Sequence, residues 1–232
     1  MNRRTFLPLI GTALVGASCL SVNSESVKEM LAGGVIFPNR LKKGDTIGIA
    51  APAGPIRDKI EVSKFVDVLH SLGFKTKVAP HTFGNYGFLS AEDSVRASEF
   101  MDLIEDKHVQ GIFFIRGGWG CARLLHLLDF DSIKRNPKVI MGFSDITTLL
   151  NAISFKTGLV TFHGPSGNSS WNDYSIKFLK DVLINAKPVA YHNLQGSDHV
   201  IETYSSGTAV GDLYGGNLSV LCGLVGSDYL PD

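Results

Sequence analysis

The sequence predicts an α/β fold: a largely parallel sheet flanked by helices, followed by the beginning of a second, smaller domain. Three observations predict it. From residue 46 to about residue 170, short apolar runs alternate with segments whose apolar residues recur every three or four positions. One run, "GIFFI" at 111–115, is apolar without interruption, as befits a strand buried on both faces of a parallel sheet. Several runs end in Gly-rich or Pro-rich turns that cannot continue a strand.

Taken in order, "TIGIAA" is a short strand closed by the turn "PAGP". Residues 58–72 place Val62, Phe65, Val66, Leu69 and Leu72 on one helical face, and Gly73 ends that helix. "KTKVA" is a second strand, and residues 91–106 form a second helix with Val95, Met101 and Ile104 among its apolar positions. "GIFFI" runs into "RGGWGCARLLHLLD", where paired glycines permit a sharp turn and "CARLLHLL" starts a helix. "KVIMGF" is the next strand, followed at once by a helix over 145–155 and then by a strand "LVTFH". After Pro165 the character changes. "SGNSSWND" is a polar loop, 174–186 is one more helix, and 187–207 is weakly patterned. "AVGDLYGGNLSVLCGLVG" reads as a strand, a Gly turn and a short helix, and the sequence stops on the turn signal "LPD". The expected organisation is a leader at 1–24, a main domain at 36–170, a connecting helix and linker at 171–207, and an incomplete C-terminal domain at 208–232.

The 232 residues, 44% of them apolar, suffice for one large domain or a domain and a half with a real core. The 22 basic residues balance the 22 acidic ones, and Lys and Arg form no long run, so nothing points to a nucleic-acid partner. The leader "MNRRTFLPLIGTALVGASC" has Arg3 and Arg4, a weakly apolar run over 6–17 and then small residues, the layout of an export signal. The run is short of the ~20 residues that cross a bilayer. "RRTFL" resembles a twin-arginine signal, which directs the protein to the periplasm or cell envelope. Small residues before Cys19 suggest a lipid anchor there, although Gly16 stands where a Leu is usual; an ordinary cleaved signal with an incidental Cys is the alternative. Cys121 and Cys222 have no His or Cys at metal-ligand spacing, so no metal is expected. They form either a disulfide, allowed in an exported protein, or two buried free thiols.

In a parallel sheet, ligands bind beyond the carboxyl ends of the strands. "IAAPAGP", "IRGGWG" and "GFSD" all leave such ends and should line one crevice. The glycines of "RGGWG" could cradle a phosphate, but the sequence lacks a P-loop Lys and the G-x-G-x-x-G spacing. Their other use is to let backbone N–H groups approach an oxyanion. Ser144, between a buried strand and a helix, is placed like a nucleophile elbow, with Gly142 before it and Ile146 where G-x-S-x-G has its second Gly. The Asp145 N–H would point towards charge developing beside Ser144, and a Gly118 N–H could be the second donor. Ser and Asp are also preferred helix caps, and most strand-Ser-Asp-helix sequences are only that.

Other residues carry two readings each. His163, on the same rim, is a base or a hydrogen-bonded structural residue. Arg116 clamps a carboxylate or pairs with an acid of the fold. Trp119 and Trp171 wall a pocket or pack. His70, His108 and His126 read as surface or packing residues in helical segments, while His192 and His199 fall in the weakly patterned region.

The ordered set "GDTIGIAAPAGP", "FFIRGGWGCARLLHLLD", "KVIMGFSDITTLLNAI", "TFHGP" and "LYGGNLSVLCGLVGSDYLPD" closely resembles the LD-carboxypeptidase family, which includes muramoyltetrapeptide carboxypeptidases and microcin C self-immunity peptidases. The resemblance runs from about residue 41 to the end. It implies a serine hydrolase with a Ser-Glu-His triad, no metal and no cofactor, acting on murein peptides at the bond before a terminal D-amino acid. It assigns the nucleophile to Ser144 and the oxyanion donors to Asp145 and Gly117 or Gly118, with Gly118 favoured. It makes Arg116, Gly117, His163 and Asn217 candidates for substrate contact. Family members are often dimers, so a homodimer is an expectation from the resemblance alone. They are also commonly cytoplasmic, whereas the leader here points to peptide trimming outside the cytoplasm.

One departure qualifies the reading. In the family the triad Glu follows shortly after "LPD" and the His lies further on, whereas this sequence stops at Asp232. A serine without its base is a poor nucleophile. A fragment of a longer product, inactive by itself, is therefore expected. The alternatives are a short form that binds murein peptides without catalysis, or recruitment of His163 as base, for which no matching acid is in place.

Overall fold

The computed structural model describes residues 34–192, 202–209 and 213–230. The leader with Cys19, and His199, lie outside the described residues.

Five parallel strands form one sheet. They are β1 (Thr46–Ala50), β2 (Lys75–Val78), β3 (Gly111–Phe114), β4 (Val139–Gly142) and β5 (Phe162–His163), in the order β2-β1-β3-β4-β5. The helices are α1 (Lys59–Ser71), α2 (Asp93–Glu105), α3 (Phe130–Arg135), α4 (Thr147–Thr157), α5 (Asp173–Leu179) and α6 (Leu218–Cys222). Helices cover both faces, and β3 shows why its sequence is apolar throughout. Alternate side chains of a strand point to opposite faces. Ile112 and Phe114 join the core that includes Phe100 and Leu103 of α2 and Leu149 and Ile153 of α4. Phe113 and Ile115 join the opposite core with Phe65 and Leu69 of α1 and with Leu179 and Leu183. Phe65, Phe100, Phe113 and Phe114 are all fully buried. Each such side chain contributes about 1.5–3 kcal/mol of burial free energy.

Local signals place the helices. Asp58 caps α1 by accepting from the Ile60 N–H at 2.8 Å. Asn172 caps α5 by accepting from the Ser175 N–H, and the chain then widens into a π-turn over Lys180–Ile184. Two elements and one histidine differ from expectation. "CARLLHL" is a 3-10 helix, Cys121–Leu127, and not α-helical. Its first N–H goes to a side chain from the next turn, and Asp129 starts a separate helix, α3, by accepting from the Ser132 N–H at 2.9 Å. "LVTFH" contributes only Phe162–His163 to the sheet, because Leu159 instead bridges Ile36. His108 sits in the turn after α2 and not in a helix.

Residues 213–230 pack back onto the main domain. Leu224 is buried in the α2/α4 core, and Tyr229 lies 6.0 Å, centroid to centroid, from Phe130. Cys121 and Cys222 are free thiols, the first buried and the second exposed, so the readings of a disulfide and of two buried thiols are both corrected.

Candidate active site

The chain leaves β4 at Gly142, passes through extended Phe143, and turns at Ser144 into a short 3-10 helix, Ser144–Ile146, that runs into α4. Ser144 has φ +63°, one of two described non-Gly residues with positive φ. That conformation costs a non-Gly residue about 1 kcal/mol or more and persists only where its surroundings enforce it. The Ser144 hydroxyl caps neither helix start. The 3-10 turn begins after Phe143 and α4 after Ile146, both without a side-chain cap.

Two glycines make room for this turn. A Cβ on Gly142 would lie 2.9 Å from Cγ2 of Ile146, so the buried Ile146 side chain fills the space that a second Gly would leave open. A Cβ on Gly117 would lie 2.9 Å from the Ser144 Cβ, 3.1 Å from the Asp145 N and 3.2 Å from the Phe143 carbonyl. The turn after β3 therefore rests directly against the serine, and only a Gly fits there. Gly118, next in the chain, has φ +132° and lies against Gly54.

The three turns expected to line one crevice are tied to one another. The Gly54 N–H donates to the Gly117 carbonyl at 3.2 Å. The Cys121 N–H donates to Oδ2 of Asp145 at 2.9 Å, joining the β3 and β4 turns. Arg96 of α2, 3% exposed, donates to the carbonyls of Ala91, Pro52 and Gly120 and pairs with Asp93. It thereby joins the β1 and β3 turns. Burial, and then the Asp145 carboxylate, push the Cys121 thiol well up, so it stays neutral. Neither Arg96 nor the Asp145 carboxylate was legible as an organising group in the sequence. An Arg three residues after an Asp at a helix start reads as a solvated pair.

The remaining candidates gather around this centre. His163 ends β5 beside Gly142, and its ring meets Phe143 edge-on at 6.5 Å. Among the described residues no carboxylate pairs with it. Partial desolvation lowers its pKa from the ordinary 6.5. A base whose folded pKa is lowered costs stability as pH falls below its unfolded value. Wild type should therefore lose more Tm than His163→Gln between pH 7.5 and pH 5, a difference read by thermal melts at the two pH values. The strip "GGN" is pinned across the start of α4: the Asn217 N–H donates to Thr147 Oγ1 at 3.0 Å, and Nδ2 of Asn151 donates to the Gly215 carbonyl at 2.9 Å. Asn217 uses its own side-chain oxygen to cap α6 on the Val220 N–H.

Arg116, partly buried, donates to the Pro55 carbonyl at 3.0 Å and lines a cavity of about 640 Å³. Trp119 lines it too, 59% exposed, while Trp171 stacks on Phe65 at 5.4 Å and packs. A larger cavity of about 760 Å³, lined in part by His163, Phe178 and Gly216, opens beside β5. The serine borders neither lining directly.

Fold and site define a class: a parallel α/β domain with a positive-φ serine on the turn after its fourth strand. The pattern of the LD-carboxypeptidase N-terminal domain matches residues 47–164, and the chain belongs to the LD-carboxypeptidase family. It is 33% identical over 202 residues to a probable murein peptide carboxypeptidase of Bacillus subtilis, covering 84% of this chain and 61% of that one. An MccF-like protein from Bacillus anthracis superposes with TM-score 0.74 at 30% identity, covering 85% of this chain and 67% of that one. The microcin C7 self-immunity protein MccF in complex with aspartyl sulfamoyl adenosine superposes with TM-score 0.74 at 29% identity, covering 85% and 68%. The chain spans 61% and 62% of the length of two of its curated relatives.

Proposed function

We propose that this chain carries the nucleophile of a serine carboxypeptidase of the LD type, which removes a terminal D-amino acid from murein peptides. The observation that carries the reading is Ser144, held with positive φ on a strand-to-helix turn with Gly117 against it. Ser144 Oγ attacks the carbonyl carbon before the terminal residue while a base takes its proton. The oxyanion forms beside the Asp145 N–H, with the Gly118 N–H as second donor. The amine of the D-residue leaves with a proton, and water then hydrolyses the acyl-serine. In the family that this chain resembles, the base and acid are a His and a Glu placed after the "LPD" motif. Neutral His163 borders the elbow and serves substrate contact, as do Arg116 and Asn217. Arg3, Arg4 and the apolar run carry the further proposal of export, with Cys19 as the candidate lipid-bearing residue.

The test is a pair of murein-type tetrapeptides differing only in the hand of the last alanine, given to the full-length gene product. Release of D-alanine at a rate about 100-fold or more above that of L-alanine is expected, since a misplaced scissile bond forfeits the oriented attack. Equal release of both would sink the LD assignment. A second reading is favoured by the similarity to MccF in complex with aspartyl sulfamoyl adenosine. On that reading the substrate of this chain is an aminoacyl sulfamoyl nucleoside or a compound like it, and cleavage of such a compound in preference to the tetrapeptide would establish it.

A further inference from the structure

The strand order β2-β1-β3-β4-β5 reverses at β1/β3, and open parallel sheets bind ligands in the crevice beyond the strand ends at such a reversal. Here that crevice holds the cavity of about 640 Å³, whose lining includes Gly54, Arg57, Phe88, Arg116 and Trp119. Two guanidinium groups share it. Among the described residues no carboxylate lies within ion-pair distance of either, whereas Arg96 and Arg123 both pair with Asp93. Arg116 makes one hydrogen bond, to the Pro55 carbonyl, which leaves most of its donors open. Arg57 is exposed and, among the described residues, has no hydrogen-bond partner. Phe88 and Trp119 are 86% and 59% exposed, and the Arg123 guanidinium lies 5.5 Å from the centre of the Trp119 ring. A cavity with two guanidinium groups free of carboxylate partners and two exposed aromatic rings is built to receive an anion attached to a small apolar body.

The position of the cavity names the anion. Arg116 precedes Gly117, and Gly117 lies against Ser144. Gly118, next in the chain to Gly117, lines the cavity as Arg116 does, so the cavity opens on the turn that meets the serine. In a carboxypeptidase, the group one residue beyond the scissile bond is the free terminal carboxylate. We propose that Arg57 and Arg116 together grip the terminal carboxylate of the departing residue, and that Trp119 and Phe88 wall the space for its side chain. The proposal rests on the reading of Ser144 as a carboxypeptidase nucleophile. It gives a reason for cleavage at a chain end and not within a chain, since an internal peptide bond offers no carboxylate to the pair.

The test measures binding to the full-length gene product carrying Ser144→Ala. The probes are a tetrapeptide ending in D-alanine, as the free acid and as the C-terminal amide. The acid should bind about tenfold or more tighter than the amide, and Arg57→Ala or Arg116→Ala should weaken the acid alone and bring the ratio close to one. Arg57→Lys should restore part of the preference. Arg57 is exposed, so its variants keep the fold, which a thermal melt verifies. An acid-to-amide ratio unchanged in both alanine variants overturns the proposal, as does binding of neither peptide. Adenosine monophosphate is the phosphate arm: if Arg57→Ala abolishes its binding and leaves the peptide ratio intact, the pocket serves a phosphate and the proposal fails. D-alanine release by the Ser144 parent reports separately on the serine. Turnover with an unchanged ratio rejects only the pocket, and no turnover with a collapsing ratio rejects only the nucleophile.

Discussion

On the proposed function, replacing Ser144 by alanine in the full-length gene product should abolish release of D-alanine, by about 10⁴-fold or more, as loss of the serine does in Ser-His-Asp triads. Peptide binding persists in the variant, because the substitution removes one hydroxyl oxygen and nothing that shapes the crevice. The fold changes little for the same reason. Alanine loses no capping bond, since the hydroxyl caps neither the 3-10 turn nor α4. The positive φ of +63° remains, at a cost similar to that of serine. A large drop in Tm in Ser144→Ala would mean that the hydroxyl supports structure, and the catalytic reading of its conformation would lose its main support. Kinetics, calorimetric binding and thermal melts on one preparation read all three.

The second large effect belongs to Arg96. Arg96→Met keeps the length of the side chain and removes every donor. The carbonyls of Pro52, Ala91 and Gly120 then lose a partner in a buried setting, and Asp93 keeps only Arg123. The Gly120 carbonyl keeps the Arg123 N–H, and each carbonyl left unsatisfied costs about 1 kcal/mol or more, so a loss of about 2 kcal/mol is expected in urea unfolding. Activity should fall as well in the folded fraction, because Arg96 fixes the β1 and β3 turns relative to each other. Asp93 adds a pH signature. Burial pushes its pKa up, but hydrogen bonds and charge from Arg123 and Arg96 outweigh this, and it lies below the ordinary 3.8. The stability this confers is present above 3.8 and is lost as pH falls through the lower folded value. Arg96→Met should lose less stability than wild type across that acid range, and the remainder reflects Arg123. Equal urea midpoints for the two proteins would contradict the role given to Arg96.

The sheet was legible because each strand but the last carries its own signal. "GIFFI" is apolar on both faces and is flanked on both faces, and the Gly and Pro turns fall where the strands end. The crevice was legible for a topological reason: β1, β3 and β4 are neighbours, so their carboxyl ends must meet. Less was legible where a long-range bond overrides local preference. "CARLLHL" has a good helical pattern yet forms a 3-10 helix, whose first N–H is bound by Asp145, 24 residues away in sequence. "LVTFH" reads as one strand, but its first half pairs with Ile36 near the other end of the domain. Arg96 and Arg57 were silent because a lone Arg in a polar context looks the same in sequence whether it is buried among carbonyls, as Arg96 is, or stands open at a cavity mouth, as Arg57 does. The serine is ambiguous in sequence between cap and nucleophile, and the absence of a capping bond removes the cap reading.

The claim that Ser144 is the nucleophile is tested most directly by its covalent product. The full-length gene product is quenched in acid during turnover of a D-alanine-terminated peptide, digested and mapped by mass spectrometry. The expected product is an acyl group of the mass of the peptide less D-alanine, carried on Ser144 and absent from Ser144→Ala. An acyl group on another residue, or D-alanine release that persists in Ser144→Ala, would contradict it.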